Sequence, residues 1–149
     1  MNLNDIHPGL SGLEQLQAML ASGGRPPIAD TLDFRLAEVG KGRAVFVGTP
    51  GAHAYNPLGA VHGGYAATLL DSACGCAVHS SLSGEQAYTT LELKVSYHRG
   101  LTLDTGPVRA EGIATTVGRR VAFAEGKLFD GRGRLCASAS STLLVFART

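Results

Sequence analysis

Residues 62–80, HGGYAATLLDSACGCAVHS, read as the main helix of the chain, and they carry one formally charged side chain, Asp71. Ala and Leu dominate the run and no proline interrupts it. Such a helix is about 27 Å long at ~1.5 Å per residue. Apolar residues occupy most of its faces, so it has no side suited to water and must be enclosed. What encloses it, and why it holds a carboxylate halfway along, are the two questions that constrain the fold and the function.

The enclosure is readable from the flanking periodicity. Upstream, "TLDFRLAEV" alternates apolar and polar residues at Leu32, Phe34 and Leu36, as a half-buried strand does. "GKG" turns the chain and "RAVFVGT" returns it as a second strand. Downstream, "AYTTLELKVSYHR", "GPVRAEGIATTV", "RRVAFAEGKLFD" and "RLCASASSTLLVF" are four further strands, separated by "GLTLDTG", Gly118 and "GRG". Two strands, one enclosed helix and four strands make an α+β domain whose antiparallel sheet, of about six strands, curls around the helix. A short helix precedes all of this: in "SGLEQLQAML", Ser11 and Glu14 form a capping box, and Leu13, Leu16 and Leu20 share a face. "GGRPP" ends it. The first ten residues read as frayed, and residues 1–149 as a single domain.

Composition narrows the class. With 149 residues, 44% of them hydrophobic and 17% charged, the chain can bury a real core. A net charge of +1 and the absence of Trp argue against a dedicated nucleic-acid binder. Glycines, His62, Ser72 and Asp71 interrupt the only stretch that approaches a membrane span. The N-terminus lacks the basic start and apolar stretch of a signal peptide. Three cysteines do not make a disulfide framework, so a cytoplasmic protein with reduced thiols is expected.

The layout and the "VHGG" opening of the main helix resemble the hotdog-fold acyl-CoA thioesterases. The closer likeness is to the phenylacetate-degradation (PaaI-like) branch with its hydroxybenzoyl-CoA thioesterase and thioesterase superfamily relatives. The resemblance spans nearly the whole chain, and its specific part is Asn56, then His62-Gly63-Gly64 six residues on, then Asp71. It implies the hotdog fold and hydrolysis of an aryl or medium-chain acyl-CoA. Asp71 stands at the place of the catalytic carboxylate, and Gly63 where a backbone N–H polarises the thioester carbonyl. Asn56 matches a residue that positions the water or the thioester, His62 supports the loop, and Thr90 falls near a Ser or Thr that orients the water. Arg119 and Arg120, after Gly118, stand where such families place basic groups near coenzyme A phosphates. No metal or redox cofactor is implied, since coenzyme A arrives as part of the substrate. Family members form dimers, often paired into tetramers.

The chemistry these residues offer stands beside the resemblance. The first N–H groups of a helix lack internal partners and favour negative charge, and glycines at 63 and 64 let a carbonyl approach them. A carboxylate in mid-helix has no capping role, so Asp71 serves as a base on water or as a nucleophile. Gly63 and Asp71 lie about 12 Å apart along one helix, whereas a reacting carbonyl sits within ~3–3.5 Å of its attacker. One copy cannot supply both groups, which calls for a twofold homodimer with two equal sites. Cys74 and Cys76 point about 200° apart and cannot share a metal, and Cys76 with His79 makes at most half a metal site. Two other readings stand behind this one: a non-catalytic acyl-CoA binder, and a hydratase or dehydratase on the same fold.

Overall fold

The computed structural model describes Leu3 and residues 7–149. Helix α1 (Gly12–Ser22) and the short α2 (Pro27–Leu32) lead into strands β1 (Phe34–Gly40) and β2 (Arg43–Gly48). A loop with one 3-10 turn (Ala52–Ala54) reaches the central helix α3 (Gly63–His79). Strands β3 (Gln86–Tyr97), β4 (Val108–Val117), β5 (Val121–Phe129) and β6 (Leu135–Ala147) follow. All six strands form one antiparallel sheet in the order β1-β2-β4-β5-β6-β3, so long β3 is an edge strand. The sheet curls around α3, as the sequence requires of a helix apolar on most sides.

Close approach of helix and sheet depends on small residues. In β5, Ala122, Ala124, Gly126 and Leu128 point inward, while the larger Val121 and Phe123 point out. Gly112 of β4 pairs with Gly126 of β5, and a Cβ on Gly112 would lie 2.3 Å from the Ala73 carbonyl of α3. The helix therefore lies backbone against backbone on the middle of the sheet. Leu69, Leu70 and Ala73 on its inner face are wholly buried against Phe34, Phe46, Ala110 and Leu128. Each buried leucine contributes roughly 1.5–3 kcal/mol of transfer free energy. Phe34 and Phe46 meet edge to face at 5.9 Å.

Two expectations need adjustment. The strand read into residues 31–39 begins only at Phe34. Pro27 instead opens α2, its fixed φ suiting a first helical turn, and Asp33 closes it in the left-handed region at φ 55°. The capping box of Ser11 and Glu14 forms as expected, and Gly23 ends α1 with a left-handed residue. Its buried face, however, is Gly12, Gln15, Leu16 and Met19, with Leu13 and Leu20 half-buried. Two contacts with α3 rotate it: Gln15 hydrogen-bonds His79 at 2.8 Å, and Gly12 leaves room for the His79 carbonyl. The fraying expected of residues 1–10 lies outside the described residues except at Leu3, which packs against the core, and at 7–10. Among the described residues no helix is long and apolar enough to cross a membrane.

Candidate active site

The loop before α3 is built to present the helix N-terminus. Asn56 Oδ1 accepts the amides of Leu58 at 2.9 Å and Ala60 at 3.2 Å, and its own amide donates to the Ala60 carbonyl at 2.8 Å. A bridge between Tyr55 and Val61 and a bond from the His62 amide to the Ala54 carbonyl pin the loop to the helix. His62 is the N-cap, and its Nδ1 accepts the Gly64 amide at 2.8 Å. That leaves Gly63, whose N–H has no partner among the described residues and belongs to the unpaired first turn of the helix. On its other side the Gly63 carbonyl accepts the Tyr97 hydroxyl at 2.7 Å. A Cβ on Gly63 would come within 3.0 Å of that hydroxyl. These groups line a small cleft of about 60 Å³.

Asp71 lies two turns further along α3, half-buried in the wall of a separate cavity of about 420 Å³. Its Oδ1 accepts the Thr90 hydroxyl at 3.0 Å, and it forms no ion pair among the described residues. Thr90 sits at a bulge, where the pairing of β3 with β6 slips between Thr90 and Glu92. Leu16, Met19 and Phe46 make the apolar wall, and Cys76, His79, Tyr88 and Arg148 supply its polar atoms. Burial, with the nearby Asp71 charge, pushes the Cys76 thiol up to about 12, which keeps it protonated and a poor nucleophile at neutral pH. Burial raises the Tyr88 phenol still further and lowers His79 to about 4, with Arg148 adding to the latter.

The residues singled out in the sequence thus fall into two groups on one helix. Asn56, His62, Gly63 and Gly64 gather at its start, and Asp71 with Thr90 at its middle. The side-chain oxygen of Asn56 is occupied by loop backbone, so any part it plays in positioning water or a thioester falls to its amide NH2. Arg119 and Arg120 are exposed in the β4–β5 turn and line neither cavity, and the Arg120 carbonyl accepts the Val145 amide at 2.8 Å. Arg148 and Tyr88 line the larger cavity and Tyr97 the smaller cleft, and sequence reasoning misses all three. They reach the site through strand pairing, which no local pattern announces. Among the described residues no three of His, Cys, Asp or Glu converge as a metal site would need.

Comparison with known proteins bears on what such a site does. The family model of the thioesterase superfamily matches residues 58–137, the span from the loop before α3 to the start of β6. The 1,4-dihydroxy-2-naphthoyl-CoA hydrolase of Escherichia coli (strain K12) is 28% identical over 133 residues, covering 89% of this chain and 93% of that protein. A thioesterase family protein from Silicibacter pomeroyi superposes with a TM-score of 0.80 at 24% identity, over 93% of this chain and 100% of its own. A mutant of the phenylacetic acid degradation protein PaaI from Thermus thermophilus gives 0.72 at 25% identity, over 80% of this chain and 98% of that one. The sheet wrapped around α3 is the hotdog fold.

Proposed function

The chain belongs to the thioesterase superfamily, and on that premise we propose that it hydrolyses an acyl-CoA thioester to free acid and coenzyme A, with Asp71 as general base. The observation that carries this reading is the carboxylate itself: in mid-helix, with no ion pair among the described residues, steadied by Thr90, and facing a cavity large enough for an acyl group. With Oδ1 held by Thr90, Oδ2 is free to take a proton from water as its oxygen bonds to the thioester carbon. The carbonyl becomes an oxyanion, which the N–H of Gly63 stabilises, a contribution on the order of 3 kcal/mol for one such donor. Collapse of the tetrahedral species breaks the C–S bond and releases coenzyme A as thiolate.

Gly63 and Asp71 line different cavities of one chain and lie about 12 Å apart along α3, so the amide comes from a second copy. The active unit is a homodimer with two sites, and β3, an unpaired edge carrying exposed Leu91 and Tyr97, is the surface suited to meet its twin. The acyl group is aryl or medium-chain, the chain acts as one domain without a metal or redox cofactor, and the exposed Arg119 and Arg120 are cations available to coenzyme A phosphates.

Turnover of a panel of aryl- and alkyl-CoA thioesters by wild type, Asp71→Asn and Asp71→Ala tests the reading. Both variants should bind substrate and lose at least about 10²-fold in kcat. Wild-type turnover in either variant removes Asp71 from the mechanism.

A further inference from the structure

Two glycines open α3, where the proposed mechanism needs one amide aimed in a fixed direction. Glycine restrains the backbone least of all residues and forms helix poorly, so this first turn holds itself weakly. Bonds from outside the turn hold it instead. The peptide that carries the Gly63 N–H is tied at its oxygen, the His62 carbonyl, which accepts the Tyr65 amide at 2.9 Å. The next peptide, between Gly63 and Gly64, is held at both ends. His62 Nδ1 accepts its N–H at 2.8 Å, and its carbonyl accepts the Tyr97 hydroxyl at 2.7 Å. A peptide unit is planar, so these two bonds fix the plane that follows Gly63 and limit how far the residue can turn.

The sheet brings Tyr97 to this place. It ends β3, opposite Ala137 of β6, and its ring lies along Gly63. A Cβ on Gly63 would stand 3.0 Å from the hydroxyl oxygen and 3.1 Å from Cζ, so the ring fills the space a side chain at 63 would take. The ring is 55% exposed and adds little to the core. Its one hydroxyl proton goes to the Gly63 carbonyl, which leaves none for a substrate oxygen. Tyr97 therefore acts through the backbone and not on the reacting atoms. It lines the cleft that holds Gly63 and has no part in the wall of the cavity beside Asp71.

We propose that Tyr97 is a positioning residue: with His62 it holds the first turn of α3 so that the Gly63 amide points at the thioester oxygen. It serves the site completed by the partner's Asp71, not the Asp71 of its own chain. The assignment rests on the reading of Gly63 as the oxyanion donor. An amide whose bond strengthens as the oxyanion forms shows its alignment in kcat more than in KM.

Co-expression of Tyr97→Phe with Asp71→Asn tests both parts. Tyr97→Phe keeps the ring and removes only the hydroxyl; alone it should lose about three- to tenfold in kcat with KM within about twofold. In a hybrid dimer, one of the two sites joins an unaltered Tyr97 and Gly63 to an unaltered Asp71. A random equal mixture should therefore show roughly a quarter of wild-type kcat or somewhat more, whereas the average of the two variants assayed separately is at most about a sixth. Amide hydrogen exchange followed by NMR reads the hold without substrate: the Gly64 N–H should exchange about fivefold faster or more in Tyr97→Phe, with Gly23, which ends α1, unchanged. Unchanged kcat, a loss confined to KM, a mixture no more active than the average, or unchanged Gly64 exchange overturns the proposal. Absence of wild-type turnover on the thioester panel overturns the hydrolase reading, and the exchange comparison then decides the hold on its own.

Discussion

Adding one methyl group to Gly112 tests how tightly the helix that carries Asp71 is set on the sheet. A Cβ there would lie 2.3 Å from the Ala73 carbonyl carbon and oxygen and 2.7 Å from the Cys74 nitrogen. Ordinary contact begins near 3.4 Å, so α3 and β4 must part by about 1 Å, and because every atom met is backbone no rotamer change relieves it. Parting also opens space beneath Leu69 and Leu70, which are wholly buried. Gly112→Ala should therefore destabilise by about 2–3 kcal/mol, at the upper end of overpacking losses. Two other glycines calibrate it. At Gly126 the added atom meets Leu70 Cδ2 at 3.0 Å and Cys74 Sγ at 3.1 Å, side chains that can give way, so Gly126→Ala should cost about 1 kcal/mol. At Gly40 nothing lies within 4 Å, so Gly40→Ala should stay within about 0.5 kcal/mol of wild type. Urea unfolding followed by circular dichroism measures all three. Activity adds a second reading, because a displacement of about 1 Å at Asp71 is enough to cost on the order of 10²-fold in kcat. If Gly112→Ala unfolds at the same urea concentration as Gly40→Ala, helix and sheet are not in the backbone contact described and the reasoning fails.

Two further outcomes are expected. Tyr97→Phe removes the hydroxyl that holds the Gly63 carbonyl at 2.7 Å, and steady-state kinetics should show kcat reduced about three- to tenfold with KM changed less, since the proposed mechanism calls on the amide in the transition state; a loss confined to KM refutes this. His79 is held near 4 against its ordinary 6.5, so below pH 6.5 the unfolded chain takes up a proton that the folded chain refuses. Stability contributed above pH 6.5 is lost as pH falls toward 4, by up to about 3 kcal/mol, and urea midpoints for His79→Leu should show less decline than wild type across that window.

Much of the fold was legible because it depends on local pattern. The composition of residues 62–80, the Ser11–Glu14 capping box and the alternation of β5 each report their own element. Asp71 was legible by contrast, as the one charge in an apolar helix. What escaped depends on distant partners. Gln15 looks like an outward-facing residue until His79 takes its amide oxygen. Leu32 keeps the alternation of β1 yet belongs to α2, because Pro27 favours a helical turn just upstream. Gly112 and Gly126 carry no local sign of their role, because their value is the space they leave for α3. Tyr97 and Arg148 come to the site on β3 and beyond β6, 34 residues after Gly63 and 77 after Asp71 in the chain, and only the register of the sheet fixes where they land.

The spacing along α3 gives the proposed site its logic. Gly63 and Asp71 are eight residues apart, so an unpaired amide and a carboxylate stand at the start and middle of one rigid element, about 12 Å apart. That interval is too long for one substrate carbonyl, which is why the proposed mechanism draws the amide from a second copy. That length comes from the rise of a helix anchored by backbone contact at Gly112. On the same proposed mechanism, side-chain changes at Leu16, Met19 or Phe46 should retune the acyl group without moving the reacting atoms, whereas lengthening α3 between Gly63 and Asp71 should disturb the interval itself.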